Sequence, residues 1–480
     1  MRLHDTLSGE LKELVPAEPG LVRMYTCGPT VYNSTHIGHL RPALVADVLA
    51  RHLRDQGLRV LWVSNFTDVD DRIIARAADE GIPPTELSAR YIDDYMRNME
   101  ALGVRVDLFA RVTQHIPDIV QMISVLVDKG FAYPVDGDVY FAVESKPDYG
   151  KLAGRTLGEM RAGARVAVDE RKRHPMDFAL WKAAKLGEPS WPSPWGPGRP
   201  GWHIECSAMS LRYLGNGFDI HGGGGDLIFP HHENEIAQSE AYTGEDPFVG
   251  IWLHNAMVEI DREKMSKSLG NFVPLTDLVL RWPAGALRYF VLSTHYRKRL
   301  QFSQAALEDA RRGWLRIWEA RRTWRAVVAH APQDVARAES AGLGAAAAQA
   351  RRAFDAALDD DLNTAGALGH IFELVRAGNA AVHAGNDPAG VRAALEALEA
   401  SGEILGLWEG RADTAAGGDE RAPGLIELLV ELRSEARAYR DWALADRIRD
   451  RLAAQGIVLE DTPQGTRWSL EDSVPQMVEP

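Results

Sequence analysis

The chain has 480 residues, too many for one compact core, so roughly three or four structural units are expected. Its 45% hydrophobic and 25% charged residues are ordinary globular values, and no apolar run reaches the ~20 residues that a bilayer-spanning helix needs. A net charge of -14 weighs against a protein that grips nucleic acid over its whole surface, but leaves room for local basic patches.

The opening segment, MRLHDTLSGELKEL, carries no apolar core of signal-peptide length, and a cytoplasmic setting is expected. Val22 to Thr26 reads as a short strand that runs into the turn Cys27-Gly28-Pro29. From Ile37 to Gln56, Leu40, Leu44, Val48 and Leu53 recur at helical spacing, Gly57 stops the helix, and Arg59 to Phe66 reads as a second, buried strand. The three pieces make a right-handed βαβ unit. Residues ~115–200 read as an insertion, with a strand over Asp138 to Val143 and a stiff loop from Trp191 to Pro197. A second α/β stretch follows: strand Phe218 to His221, the run Gly222 to Gly225, then a helix from about His231 to Tyr242. Beyond Pro274 the pattern is helical to about Leu407. Gly410 to Pro423 reads as a linker. A small charged helical module with an extended tail, Gly456 to Trp468, ends the pattern.

The expected architecture is therefore α/β: a Rossmann-like parallel sheet split by an inserted α/β domain, followed by a helical bundle and a small C-terminal module. The boundaries are 1–115 and 201–256 for the two halves of the sheet domain and 116–200 for the insertion. A connecting domain covers 257–315, the bundle 316–409, a linker 410–424 and the last module 425–480.

Two elements carry nucleotide chemistry. His36-Ile37-Gly38-His39 falls where the first loop meets the first helix, whose free N–H groups and partial positive charge suit a triphosphate. Gly38 admits a flat adenine ring, and His36 and His39 can donate to phosphate oxygens; a histidine-rich helix cap is the plainer alternative. Lys264-Met265-Ser266-Lys267-Ser268 suits a mobile loop that closes over a phosphoryl leaving group, or else is a solvated loop. In this order the two resemble the HIGH and KMSKS signatures of class I aminoacyl-tRNA synthetases. Small nucleotidyltransferases have related sites but lack a long helical C-terminal part.

Two cysteines, Cys27 and Cys206, are too few for a disulfide framework, and each alone reads as a small buried hydrophobe. His231 and Glu235, however, stand four apart and share one helix face. Cys27 ends the first strand and Cys206 precedes another, so the four can meet at the carboxyl ends of parallel strands. Two thiolates, an imidazole and a carboxylate form a tetrahedral zinc set.

The segments Thr26 to Tyr32, Asn65 to Asp71, Pro200 to Cys206, His221 to Gly224 and Phe229 to Glu235 resemble the motifs of bacterial cysteinyl-tRNA synthetases, and the resemblance extends over essentially the whole chain. It implies one zinc ion on Cys27, Cys206, His231 and Glu235, and a cysteine pocket lined by Thr67, Trp202 and His221. ATP with magnesium would be bound by His36, Gly38, His39, Lys264 and Lys267, the histidines and lysines acting in catalysis. The family often has asparagine where His39 stands. A zinc suits the task, because a shape-fitted pocket separates near-isosteres by only about 1–3 kcal/mol. A ~10⁴-fold preference over serine needs about 5.5 kcal/mol. Zinc binds a thiolate well and a hydroxyl poorly, so no editing domain is expected.

The C-terminal segments Arg433 to Asp446 and Gly456 to Trp468 read from composition as self-paired charged helix and tail. They also resemble the family's anticodon module, which assigns base reading to Arg437, Trp442, Asp446 and Asp461. Asp360 to Thr364 resembles the bundle that braces the anticodon stem, and Arg171-Lys172-Arg173 is a solvated turn or a contact for the acceptor arm. The resemblance implies a monomer that makes cysteinyl-adenylate from L-cysteine and ATP, releases pyrophosphate and loads the 3' end of tRNA(Cys), with no membrane partner. Two rivals stand beside it: a cysteine ligase of the mycothiol pathway, which lacks the C-terminal module, and an RNA-binding protein with a structural zinc, which needs neither signature.

Overall fold

Five parallel strands run side by side in the order Val249–Asn255, Phe218–Gly224, Leu21–Thr26, Arg59–Phe66 and Leu108–Arg111. Both faces of this sheet are covered, which is why its strands are rich in buried apolar residues such as Val22, Met24, Trp62, Val63 and Ile220. The chain order reverses between Leu21–Thr26 and Phe218–Gly224, which pair through Met24 with Ile220 and Thr26 with Gly222. At such a reversal the loops leave in opposite directions and a crevice opens at the carboxyl ends. Cys27 follows directly on one of these strands and Gly222 to Gly224 end the other.

This computed structural model describes residues 1–159, 171–260, 263–264, 273–331, 342–385, 387–409, 421–438, 441–453, 457–462 and 465–470, in two units, Met1–Glu409 and Gly410–Pro480. The first helix, Ile37–Asp55, buries Leu40, Leu44, Val48 and Leu53. Pro42 in its second turn offers no N–H to the Gly38 carbonyl. Two further helices, Asp71–Glu80 and Pro84–Ala101, lead to the edge strand Leu108–Arg111.

The segment between the two halves of the sheet forms a helix, Ile116–Asp128, and four antiparallel strands, Ala132–Val135, Asp138–Phe141, Phe178–Ala183 and Gly198–Pro200. The second of these strands ends at Phe141, two residues short of the apolar run, because Val143–Ser145 turns into a 3-10 helix. Leu180, Trp181 and Phe141 share one apolar cluster with Tyr25, Met209 and Trp252, so the insertion and one face of the parallel sheet are a single core.

Four long helices, Gln304–His330, Leu343–Asp359, Thr364–Ala384 and Pro388–Leu405, complete the first unit and share the apolar cluster of helix Ile37–Asp55. They pack closely: a Cβ on Gly378 would lie 2.2 Å from the Trp324 ring. Asp361, at φ 58, accepts from the backbone N–H of His4, from the Tyr296 hydroxyl at 2.5 Å and from Arg297. In the second unit, helices Arg421–Ala438 and Trp442–Ala453 precede an antiparallel hairpin of Ile457–Thr462 with Gly465–Leu470. No helix among the described residues is long and apolar enough to cross a membrane.

Candidate metal and nucleotide site

Four elements bring the two thiols, the imidazole and the carboxylate together. Cys27 leaves the first strand, Cys206 stands on helix Trp202–Leu214, His231 on the wide turn Ile228–His232, and Glu235 on helix Glu233–Thr243. The turn after Cys27 passes so near the neighbouring strand that a Cβ on Gly28 would sit 1.6 Å from the Asn65 carbonyl oxygen. Glycine alone fits there, and its N–H donates to Asn65 Oδ1 at 2.9 Å.

The four donor atoms lie within 4.8 Å of one another. Cys27 Sγ and Cys206 Sγ stand 3.7 Å apart, Cys27 Sγ and Glu235 Oε1 3.4 Å, and His231 Nε2 and Glu235 Oε1 3.1 Å. Sulfurs bound at about 2.3 Å around a tetrahedral ion would be ~3.8 Å apart, and oxygen and nitrogen ligands ~3.3 Å. The donor set fits zinc in both type and spacing. Glu235 also holds His221 Nε2 at 3.0 Å through its second oxygen, and His203 Nδ1 meets His231 Nδ1 at 3.0 Å.

Behind the ligands runs a row of histidines. His232 Nε2 lies 3.3 Å from Cys27 Sγ, His232 Nδ1 2.7 Å from His254 Nε2, and His254 Nδ1 2.8 Å from Thr6 Oγ1. Burial pushes the Cys27 thiol up. Cys206 falls to about 6 through its contact with Cys27, burial opposing. Burial also pulls His231 down, but the Cys206 sulfur and Glu235 outweigh it and carry the imidazole up to about 10. Glu235 drops to about 2 because His221 and His231 overcome its burial. A buried thiolate–imidazolium pair beside a carboxylate is a ready receptor for a dication, which replaces the imidazolium proton.

His203, His232 and His254 were not singled out from sequence as site residues. Burial holds all three far below the ordinary histidine value, His254 at about 3, so they are neutral. In sequence they lie on separate elements, and only the doubled His231-His232 sets one of them beside a proposed ligand.

The start of helix Ile37–Asp55 lines a cavity that Cys27 also borders. The His36 ring caps the helix by accepting from the Gly38 N–H at 3.1 Å, and the His39 ring accepts from the His36 N–H at 3.2 Å. Both rings accept through Nδ1, so when neutral each carries its proton on Nε2, the donor a phosphate oxygen needs. The cap and the phosphate reading are therefore compatible. Burial, and then the adjacent His36, pull His39 down to about 3.

The cavity has a volume of about 430 Å³, and His36, Gly38, His39, Cys27, Trp202 and Arg72 are among its walls. The Trp202 ring lies 4.3 Å from that of His231. Thr67 and His221 are fully buried and are not among the walls. Thr67 Oγ1 donates to Glu205 Oε2 at 2.8 Å and His221 meets Glu235, so both stand behind the site. Lys264 ends the two-residue strand Glu263–Lys264, paired with Val258–Ile260. Its side chain, and Lys267 altogether, lie outside the described residues.

In the C-terminal unit Arg437 and Trp442 are exposed, Trp442 by 57%, and Asp446 pairs with Arg449 at 3.1 Å. Asp461 lies opposite Thr466 in the hairpin, with its side chain outside the described part. In the insertion Arg171 and Lys172 lie over the Tyr140 ring and Arg173 stacks 4.0 Å above that of Tyr133.

Residues 13–312 match the family described as tRNA synthetases class I (C) catalytic domain, and residues 353–409 match the DALR domain. The chain is 51% identical to a cysteine--tRNA ligase of Pelotomaculum thermopropionicum over 98% of its length and 99% of that protein. It is 50% identical to a cysteine--tRNA ligase of Geobacter sulfurreducens over 98% of its length and all of that protein, 100%. Among solved structures it is similar in fold to the methionyl-tRNA synthetase of Mycobacterium tuberculosis bound by methionyl-adenylate, with a TM-score of 0.62 at 17% identity, covering 88% of this chain and 96% of that one.

Proposed function

The chain belongs to the cysteine--tRNA ligases, class I aminoacyl-tRNA synthetases, and joins L-cysteine to tRNA with ATP; on that premise we propose how its own residues divide the work. The substrate thiol is recognised at the Cys27 end of the cavity, where Cys27, Cys206, His231 and Glu235 would hold one zinc ion. When bound, zinc supplies a Lewis acid that takes a thiolate at neutral pH in preference to a hydroxyl. Thr67 and His221 act from behind: His221 orients Glu235, and Thr67 fixes Glu205 beside Cys206. Trp202 closes the wall next to His231 and excludes water.

ATP, with Mg²⁺, lies over the start of helix Ile37–Asp55. Gly38 admits the adenine, and the Nε2–H groups of His36 and His39 donate to the phosphates. A cysteine carboxylate oxygen attacks the α-phosphorus, the bond to the β-phosphate oxygen breaks, and pyrophosphate leaves with its charge met by Lys264 and Lys267. The tRNA ribose hydroxyl then attacks the adenylate carbonyl, and AMP departs. No side chain forms a covalent intermediate. The insertion receives the acceptor arm, and Arg437, Trp442, Asp446 and Asp461 read the anticodon. The enzyme acts in the cytoplasm as a monomer, so light scattering should give the 53.0 kDa of one chain; twice that mass refutes it.

The carrying observation is that Cys27, one member of the four-donor cluster, and the histidine-bearing helix start line one cavity. The test is charging of bulk tRNA with ATP and either cysteine or serine. Cysteine-specific charging is expected; pyrophosphate exchange with cysteine but no charging would point instead to a cysteine ligase that does not use tRNA.

A further inference from the structure

Among the described residues of the first unit, two arginines are 0% exposed, and they differ in one respect. Arg288 Nη2 has a countercharge, Asp47 Oδ2, at 2.5 Å. Arg41 has none among the described residues. Its Nη1 donates to the carbonyls of Ala256 at 2.9 Å and Met257 at 3.3 Å, and its Nη2 to that of His295 at 2.9 Å, while its Nε has no partner. A buried charge taken from water without an anion is costly, and neutral carbonyls offset only part of that cost.

The position of this charge is informative. Arg41 follows His39 by two residues on the helix whose start faces the cavity, and its neighbours Pro42 and Ala43 are cavity walls. Two of the three carbonyls it holds, those of Ala256 and Met257, belong to the segment in which Asn255, Met257 and Val258 line the same space. Val258 begins the strand whose partner ends at Lys264. One guanidinium thus ties the two walls of the nucleotide end together and sits behind both.

We infer that Arg41 is a positioning residue of the nucleotide site, whose buried guanidinium fixes the wall Asn255–Val258 and leaves a positive charge that the bound triphosphate compensates. Burial lowers its pKa only to about 10, so the charge is present at neutral pH. This makes affinity for ATP, and not for cysteine, depend on a side chain that touches neither. The inference rests on the reading that the cavity holds ATP.

Cysteine-dependent ATP–pyrophosphate exchange on the full-length enzyme tests it with Arg41→Gln, Arg41→Lys and His36→Ala. Arg41→Gln is expected to raise KM for ATP about tenfold with KM for cysteine unchanged within twofold. Arg41→Lys keeps the charge but cannot reach three carbonyls, so kcat falls while KM for ATP stays within about threefold of wild type. Equal increases in both KM values, or an unchanged KM for ATP in Arg41→Gln, overturn the inference. Should Arg41→Gln fail to fold, a tenfold rise in KM for ATP in Arg41→Lys overturns it as well. A silent His36→Ala would refute the cavity reading instead, whereas a His36→Ala effect beside a silent Arg41→Gln refutes this inference alone.

Discussion

Replacing Asp47 with leucine strikes the ionic centre between helix Ile37–Asp55 and the bundle. Asp47 Oδ2 accepts from Arg288 at 2.5 Å and from Arg51 Nε at 2.8 Å, and both residues of the first pair are almost fully buried. Arg288 in turn donates to the carbonyls of Leu405 and Leu102, and Arg51 to that of Glu403 and to Glu409 Oε1. Removing the carboxylate strands a buried guanidinium, which costs about 3–5 kcal/mol. Unfolding entropy of about 2.1 cal/mol/K per residue gives ~0.9 kcal/mol/K for the Met1–Glu409 unit, so its melting temperature should fall by about 4–6 °C. Scanning calorimetry of wild type, Asp47→Leu, Arg288→Met and the double variant measures it. The double variant should recover most of the loss, because the pair stabilises chiefly by sparing each partner an unpaired charge. Additive losses, or a single-variant shift under about 1 °C, would refute the reasoning.

Gly28→Ala puts a Cβ 1.6 Å from a backbone oxygen that no rotamer change can move, so a loss above about 4 kcal/mol is expected; wild-type expression and melting temperature would contradict it. His254 is neutral in the fold, at about 3 against an ordinary 6.5, so the unfolded chain binds the extra proton. Its contribution is therefore complete above about pH 6.5 and is lost as pH falls towards 3, about 2 kcal/mol of it by pH 5. His254→Asn should flatten the melting-temperature profile between pH 7 and 5 by about 2 °C, and an unchanged slope counts against a buried neutral ring. Trp442→Ala removes an exposed ring and should leave stability and pyrophosphate exchange untouched while raising KM for tRNA at least about fivefold, from a stacking loss of ~1–3 kcal/mol. An unchanged KM would remove Trp442 from the RNA surface.

The parallel core was readable because its signals are local: apolar spacing in Ile37–Asp55, the Gly57 stop and the strand Arg59–Phe66 follow one another within a single βαβ unit. His231 and Glu235 were readable as a pair for the same reason, being four residues apart. Helix Trp202–Leu214 was not anticipated, since Pro200 and Gly201 look like loop and the helix buries Glu205, Ser207 and Ser210 as fully as its apolar residues. The helices Asp71–Glu80 and Pro84–Ala101 escaped notice beside the motif that precedes them. His203, His232 and His254 acquire meaning only through rings brought together from a helix, a turn and a strand. The pairing of Asp47 with Arg288 spans 241 residues, and no pattern along the chain announces it. Thr67 and His221 show the limit of a motif: it identifies the neighbourhood, but not whether a side chain forms the wall or stands behind it.

The most direct test of the account is zinc content measured together with cysteine-dependent ATP–pyrophosphate exchange, before and after chelation and again after zinc is restored. The account predicts one zinc per chain, exchange with cysteine but not serine, loss of exchange with the metal, and recovery on its return. Folded enzyme that activates cysteine with a zinc content near zero would contradict it.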